Sequence, residues 1–210
     1  ILPILSVGGW GAGGFSEAAA TEDGRAVFVE SALKLMERYG FRGIDIDWEY
    51  PGSSAAGIVS GSNDRANFTL LLKALRSGLD ELTAADGVTR RLCIAVGAYP
   101  SLVSNIDCAA VGRIVDQVNL MTYDLQSANA ATHHTALYSG DSAHPLSADM
   151  AADAYAAAGI PLRKMALGVA FYGHKWSVGG ENPLDKAAKK VGVLNYSRIK
   201  PLIAGHSERV

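Results

Sequence analysis

"FRGIDIDWEYPG", residues 41–52, sets three carboxylates on alternate positions of an apolar run. Asp45, Asp47 and Glu49 interleave with Ile44, Ile46 and Trp48. Side chains of a strand alternate between its two faces, so one face here is apolar and the other acidic. Carboxylates two apart on one face lie roughly 6–7 Å from each other. Like charges that close cannot all ionise cheaply, and at least one carboxyl is expected to keep its proton to a higher pH than usual. That is an expensive way to build a strand.

Outward from this run the chain alternates strand-like and helix-like stretches. Residues 2–8, 43–49, 91–98, 117–123 and 165–171 have strand character. Between them, 22–39 places Val29, Leu33 and Met36 on one stripe, and 65–82 repeats the helical period. Residues 147–159 end in a Gly stop signal, and a short helix is expected near 108–115. Strands alternating with helices mean parallel βα units, in an open doubly wound sheet or in a barrel. The runs begin about 26 to 48 residues apart, a spacing that suits a (β/α) barrel with some long loops. The long stretches 50–62 and 124–145 follow strand ends, and such βα loops form the face on which barrels carry their sites. The expected class is α/β, a (β/α)8 TIM barrel represented by five of its eight strands.

Composition narrows the rest. The chain has 210 residues, 49% of them hydrophobic, and a formal charge of -2. It is long enough for a sizeable core, and its charge offers no electrostatic basis for a nucleic-acid or anionic-membrane partner. No apolar run reaches the roughly 18 residues of a membrane span. Cys93 and Cys108 do not make a disulfide framework, and Cys93, within an apolar run, reads as a small core residue. The chain opens at Ile1 inside an apolar run and stops at Val210 without a terminal element, and it reads as a piece of a longer polypeptide.

"GWGAGG", residues 9–14, formally matches a dinucleotide-binding fingerprint. Trp10 crowds that loop, and the next clear helical pattern waits until about residue 21, so no helix N-terminus is expected to face it. Trp10 reads better as a stacking platform for a sugar ring, with packing on its own helix as the plainer alternative. "THH", residues 132–134, lacks the i, i+4 spacing or partner set of a zinc site and reads as a loop contact or as solvated histidines. The three acids lie in a line rather than around a sphere, which argues against a calcium or magnesium site. No metal and no cofactor is expected. In "QVNLMTYDL", residues 117–125, Met121, Tyr123 and Asp124 close a strand and add a hydroxyl and a carboxylate, as suits a polar, uncharged ligand.

Taken together these residues resemble glycoside hydrolase family 18, the chitinases and endo-β-N-acetylglucosaminidases. "GIDIDWEYP" is similar to that family's D-G-x-D-x-D-x-E strand, and "SVGGW" (6–10) to its S-x-G-G strand end. "LMTYDL" (120–125) and "LGVAFYG" (167–173) resemble its sixth and seventh strands. The resemblance implies that the chain runs from the third strand to the seventh. Residues 1–173 then form a partial barrel, and 174–210 begin an α+β insertion that precedes the eighth strand. Two positions depart from the pattern: Arg42 stands in place of its first Asp, and His174 in place of the Arg that often follows "FYG".

The resemblance also implies roles. Glu49 is the general acid on the glycosidic oxygen, Asp47 holds the substrate's acetamido N–H, and Tyr123 hydrogen-bonds the acetamido oxygen. Asp45 shares a proton or hydrogen bond with Asp47, and Ser6 steadies that pair. Trp10, Met121, Asp124 and Tyr172 shape the sugar subsites. The implied substrate is chitin or its oligosaccharides, hydrolysed with retention by a substrate-assisted route, and the implied setting is extracellular. An endo-β-N-acetylglucosaminidase acting on N-glycans uses the same residues. A non-catalytic lectin of this fold usually lacks the acid that this chain keeps as Glu49.

Overall fold

The structure, a computed structural model, describes residues 1–140, 146–179 and 187–204. Its contacts group the chain into two units, residues 1–121 with 152–167, and residues 122–151 with 168–210.

The first unit is built on five parallel strands in sequential order: β1 (Leu5–Gly8), β2 (Gly43–Asp47), β3 (Arg91–Gly97), β4 (Gln117–Met121) and β5 (Met165–Leu167). Registers such as Ile44↔Leu92 and Ile94↔Val118 line up the apolar positions of neighbouring strands. That face, with Ile44, Ile46, Leu92, Ile94, Val118 and Leu120 all fully buried, packs into one core with the helices. On the alternate positions Ser6 pairs with Asp45, and Asp45 with Cys93. This second face, with Ser6, Asp45, Cys93 and Asn119, borders a cavity of about 630 Å³. A parallel sheet of this order with its crossover helices is the portion of a (β/α) barrel that the sequence leads one to expect.

The helices follow from local chemistry. Thr21 ends α1 (Phe15–Ala20) and caps α2 (Glu22–Arg38), its hydroxyl oxygen accepting from the Gly24 N–H at 3.0 Å. In α3 (Asp64–Asp86), Phe68, Leu71, Leu72, Leu75 and Leu79 form the buried stripe, and Gly87, at φ 72°, closes the helix in the left-handed conformation. Asp107 caps α4 (Cys108–Ile114) through the Ala110 N–H, and Lys164 Nζ donates to the carbonyls of Gly112 and Val115 at its other end. Tyr155, near the end of α5 (Ala148–Ala157), is fully buried and donates its hydroxyl to the Gly97 carbonyl at 2.9 Å.

α1 is a departure from the sequence reading, which placed no helix before about residue 21. Its six residues are too few for a period, but Phe15 anchors them by stacking on Trp48, with centroids 5.5 Å apart. Strand lengths also differ. β2, β4 and β5 stop at Asp47, Met121 and Leu167, short of the apolar runs that suggested them.

In the second unit β6 (Tyr172–Ser177) and β7 (Lys189–Asn195) pair antiparallel, with an irregularity at Lys175/Trp176. α6 (Tyr196–Ile203) follows β7 directly, and the Tyr196 N–H donates to the Phe171 carbonyl at 2.8 Å. Among the described residues no helix is long and apolar enough to cross a membrane.

Candidate active site

β2 delivers the acids. Ile44 and Ile46 are fully buried on the helix side, so Asp45 and Asp47 are turned to the opposite face. Trp48 is buried between Phe15 and Phe68 and pins the chain just past the strand end. Glu49 follows, itself buried, with a cis peptide bond to Tyr50.

Asp45 is held from two sides. Ser6 Oγ donates to its Oδ2 at 2.7 Å, and Asn119 Nδ2 donates to its Oδ1 at 3.0 Å. Ser6 therefore grips Asp45 directly. Asp47 is treated differently: its Oδ1 is buried and has no hydrogen-bond partner. Burial above all, then the charges of Glu49 and Asp45, push the Asp47 carboxyl up to about 6. The crowding of like charges read from the sequence adds to the effect of burial at Asp47. Burial, then the charge of Glu49 and a hydrogen bond to it, hold the Tyr50 hydroxyl well above its usual range, so Tyr50 keeps its proton beside Glu49.

Two neighbouring features fix this geometry. At "SVGGW" the chain crosses β2 at contact distance. Gly8 sits at φ 124°, where an added Cβ would lie 2.1 Å from the Asp47 carbonyl oxygen, and the Gly9 N–H donates to that same oxygen at 2.8 Å. The loop after Glu49 is organised by Asp64, which is buried and accepts from Ser16 Oγ and from the Gly52 and Gly61 N–H groups. Trp10, two residues past Gly8, is 65% exposed and meets the Tyr50 ring edge-on at 6.4 Å. Met121 ends β4 in register with Gly97.

The remaining singled-out residues belong to the second unit. Asp124 adopts φ 60°, in the left-handed region that few non-glycine residues enter. Tyr172 donates its hydroxyl to Asp124 Oδ2 at 2.6 Å, and His174 Nε2 contacts Asp124 Oδ1 at 2.6 Å. The Tyr123 ring meets the Tyr172 ring edge-on at 6.0 Å. The loop folds back so that the Asp124 N–H donates to His134 Nδ1 at 3.4 Å and the Leu125 N–H to the His134 carbonyl at 3.0 Å. Burial, then the neighbouring His174, hold the His134 imidazole below its usual range. Asp124, His134 and His174 each place one potential metal-ligating atom within 4.8 Å of the others.

Asn119, Tyr50 and Asp64 were not among the residues picked from the sequence. For Asn119 a signal existed, since it shares the strand face of Met121 in an otherwise apolar run. Tyr50 and Asp64 act through loop geometry that no spacing encodes. His134, read with its neighbours as a loop contact or a solvated histidine, does contact the loop, its partners standing 10 and 40 residues away along the chain.

Comparison with known proteins places this arrangement. The profile of the glycosyl hydrolases family 18 matches residues 3–209. Chitinase A1 of Niallia circulans is 38% identical over 185 residues, which cover 82% of this chain and 26% of that protein. Endochitinase 1 of Metarhizium robertsii is 36% identical over 178 residues, 81% of this chain and 40% of the relative. The chain thus spans well under half the length of these two relatives. The solved structure of a family 18 N-acetylglucosaminidase from Paenibacillus barengoltzii superposes with a TM-score of 0.88 at 37% identity, covering 100% of this chain and 63% of the other. With the acidic strand, the parallel sheet and a profile match along nearly its whole length, the chain belongs to the glycosyl hydrolases family 18.

Proposed function

We propose that this chain carries the catalytic acids of a glycoside hydrolase that cleaves β-1,4-linked N-acetylglucosamine polymers, that is, chitin and its oligosaccharides. The observation that carries the proposal is the Asp47 carboxyl, with a buried Oδ1 that has no partner, two residues from the buried Glu49. An orphaned buried acceptor is costly unless a ligand's donor completes it. The N–H of a 2-acetamido group is such a donor.

In this reading Glu49 gives its proton to the glycosidic oxygen as the bond to the anomeric carbon breaks. The acetamido carbonyl oxygen attacks that carbon from the opposite face, forming an oxazolinium ion. Water then opens the ion, its proton returns to Glu49, and the configuration is retained. Family 18 is a known exception to the scheme of two catalytic carboxylates for this reason. Asp47 grips the acetamido N–H and offsets the positive charge that develops, and Tyr123 donates to the acetamido oxygen. Asp45, fixed by Ser6 and Asn119, is a positioning residue for Asp47. Trp10, Met121, Asp124 and Tyr172 contact the sugars. Residues 1–173 supply a partial barrel, 174–210 begin an inserted α+β segment, and the setting is extracellular, where chitin lies.

The test is incubation of the full-length protein with chito-oligosaccharides and, separately, with a high-mannose glycoprotein. Shortened chito-oligosaccharides and an intact glycoprotein are expected. Release of the N-glycan instead points to an endo-β-N-acetylglucosaminidase, and tight binding without cleavage to a lectin; either result overturns the proposal.

A further inference from the structure

We propose that Asp124, His134 and His174 form a binding site for a single divalent transition-metal ion of the zinc class. All three lie in the second unit, and their candidate ligand atoms stand within 4.8 Å of one another. Two imidazoles and one carboxylate are a ligand set that suits zinc and its neighbours. Calcium and magnesium require mainly oxygen ligands and do not fit it.

The plainer reading of a buried histidine is one whose ring nitrogens are spent on structural hydrogen bonds. His174 matches that reading at only one of its two ring nitrogens. Its side chain is 4% exposed, its Nε2 meets Asp124 Oδ1, and its Nδ1 is buried with no partner. A second imidazole is packed against it, the His134 ring edge-on with centroids 4.6 Å apart. Two rings and a carboxylate held that close bring three groups able to ligate an ion together, and His134 Nδ1, which now accepts from the Asp124 N–H at 3.4 Å, has to give up that bond if it is the nitrogen that ligates. The Tyr172 hydroxyl on Asp124 Oδ2 supplies the kind of outer hydrogen bond that orients a ligating carboxylate. Asp124 is also kept in a left-handed backbone conformation, which persists only where the surroundings impose it.

The geometric adjustment is small. Ligands about 2.0–2.1 Å from a tetrahedral ion stand about 3.3 Å from one another. The Asp124–His174 contact, now 2.6 Å, has to open by about 0.7 Å as the ion takes the place between them, and the wider separations have to close. Three protein ligands leave at least one position for water or another oxygen donor.

The proposed site shares Asp124 and Tyr172 with the sugar-contacting residues of the hydrolytic reading, but its test does not use hydrolysis. The full chain, purified without a polyhistidine tag, is titrated with Co²⁺, whose visible absorption reports coordination by nitrogen and oxygen, and then with Zn²⁺ to displace it. One ion per chain is expected, with affinity reduced about tenfold or more in His134→Gln and in His174→Gln. His133→Gln, at the exposed neighbouring position, is expected to bind as the parent does. Because His174 is buried, near-UV circular dichroism checks that its variant folds; if it does not, the His134 variant alone decides. Absence of binding, equal affinity in the His134 variant and the parent, or an equal loss in the His133 variant overturns the proposal.

Discussion

Replacing Asp47 by Asn isolates the electrostatic cost of the acidic strand. The side chain keeps its shape and one acceptor oxygen, its other oxygen becomes an amide NH2 donor, and the titratable charge goes. In the folded protein Asp47 titrates near 6 instead of near its ordinary 3.8. Each pH unit of that difference is worth about 1.36 kcal/mol, so the full value is about 3 kcal/mol. The side chain is only partly buried, and solvent screening leaves about 1–2 kcal/mol of it. The sign follows from linkage. Below about pH 3.8 Asp47 is protonated in both states and costs nothing; above about pH 6 it is charged in both, and the folded state alone bears the penalty. The parent therefore loses stability relative to the variant as pH rises through this window. Urea unfolding of both proteins at about pH 3.5, 5 and 7.5, followed by tryptophan fluorescence and far-ultraviolet circular dichroism, measures the difference. Near-equal stability at the lowest pH and a gain of about 1–2 kcal/mol for Asn at the highest are expected. A difference that does not change with pH, or a less stable variant at pH 7.5, refutes the reasoning.

Gly8→Ala is expected to destabilise the fold by about 2–4 kcal/mol, since its Cβ meets the Asp47 carbonyl and its backbone sits at positive φ. A urea midpoint indistinguishable from the parent's contradicts the close approach of β1 to β2. Products of chito-oligosaccharide cleavage are expected to appear first as β-anomers in early-time proton NMR, with fully deacetylated chitosan left intact. Fresh α-anomers, or efficient cleavage of that chitosan, exclude the acetamido group as nucleophile.

The parallel sheet was legible because a period of two is unambiguous where both faces are buried or functional. Ile44 and Ile46 on one side and Asp45 and Asp47 on the other left little choice of orientation. The hold of Ser6 on Asp45 followed from the family pattern, whereas the second donor, Asn119, lies 74 residues away and required the register of three strands, β2 to β4. The run 165–171 read as one strand, yet the sheet pairing ends at Leu167 and the chain goes on as β6 in an antiparallel pair. A continuous apolar run does not show where a chain changes partners. The grouping of His134 with Asp124 and His174 is beyond local spacing for a related reason, since those two stand 10 and 40 residues from it along the chain.

The most direct test of the central claim is the rate of chito-oligosaccharide hydrolysis by the full-length protein and its Glu49→Gln variant, measured beside their affinity for the same oligosaccharide. Gln keeps the shape of the buried side chain and cannot give up a proton as the acid does. If Glu49 protonates the glycosidic oxygen, turnover falls by about 10²–10⁴-fold while binding stays within a few-fold of the parent. A variant that keeps a third of the parent's rate contradicts the assignment of Glu49 as the acid.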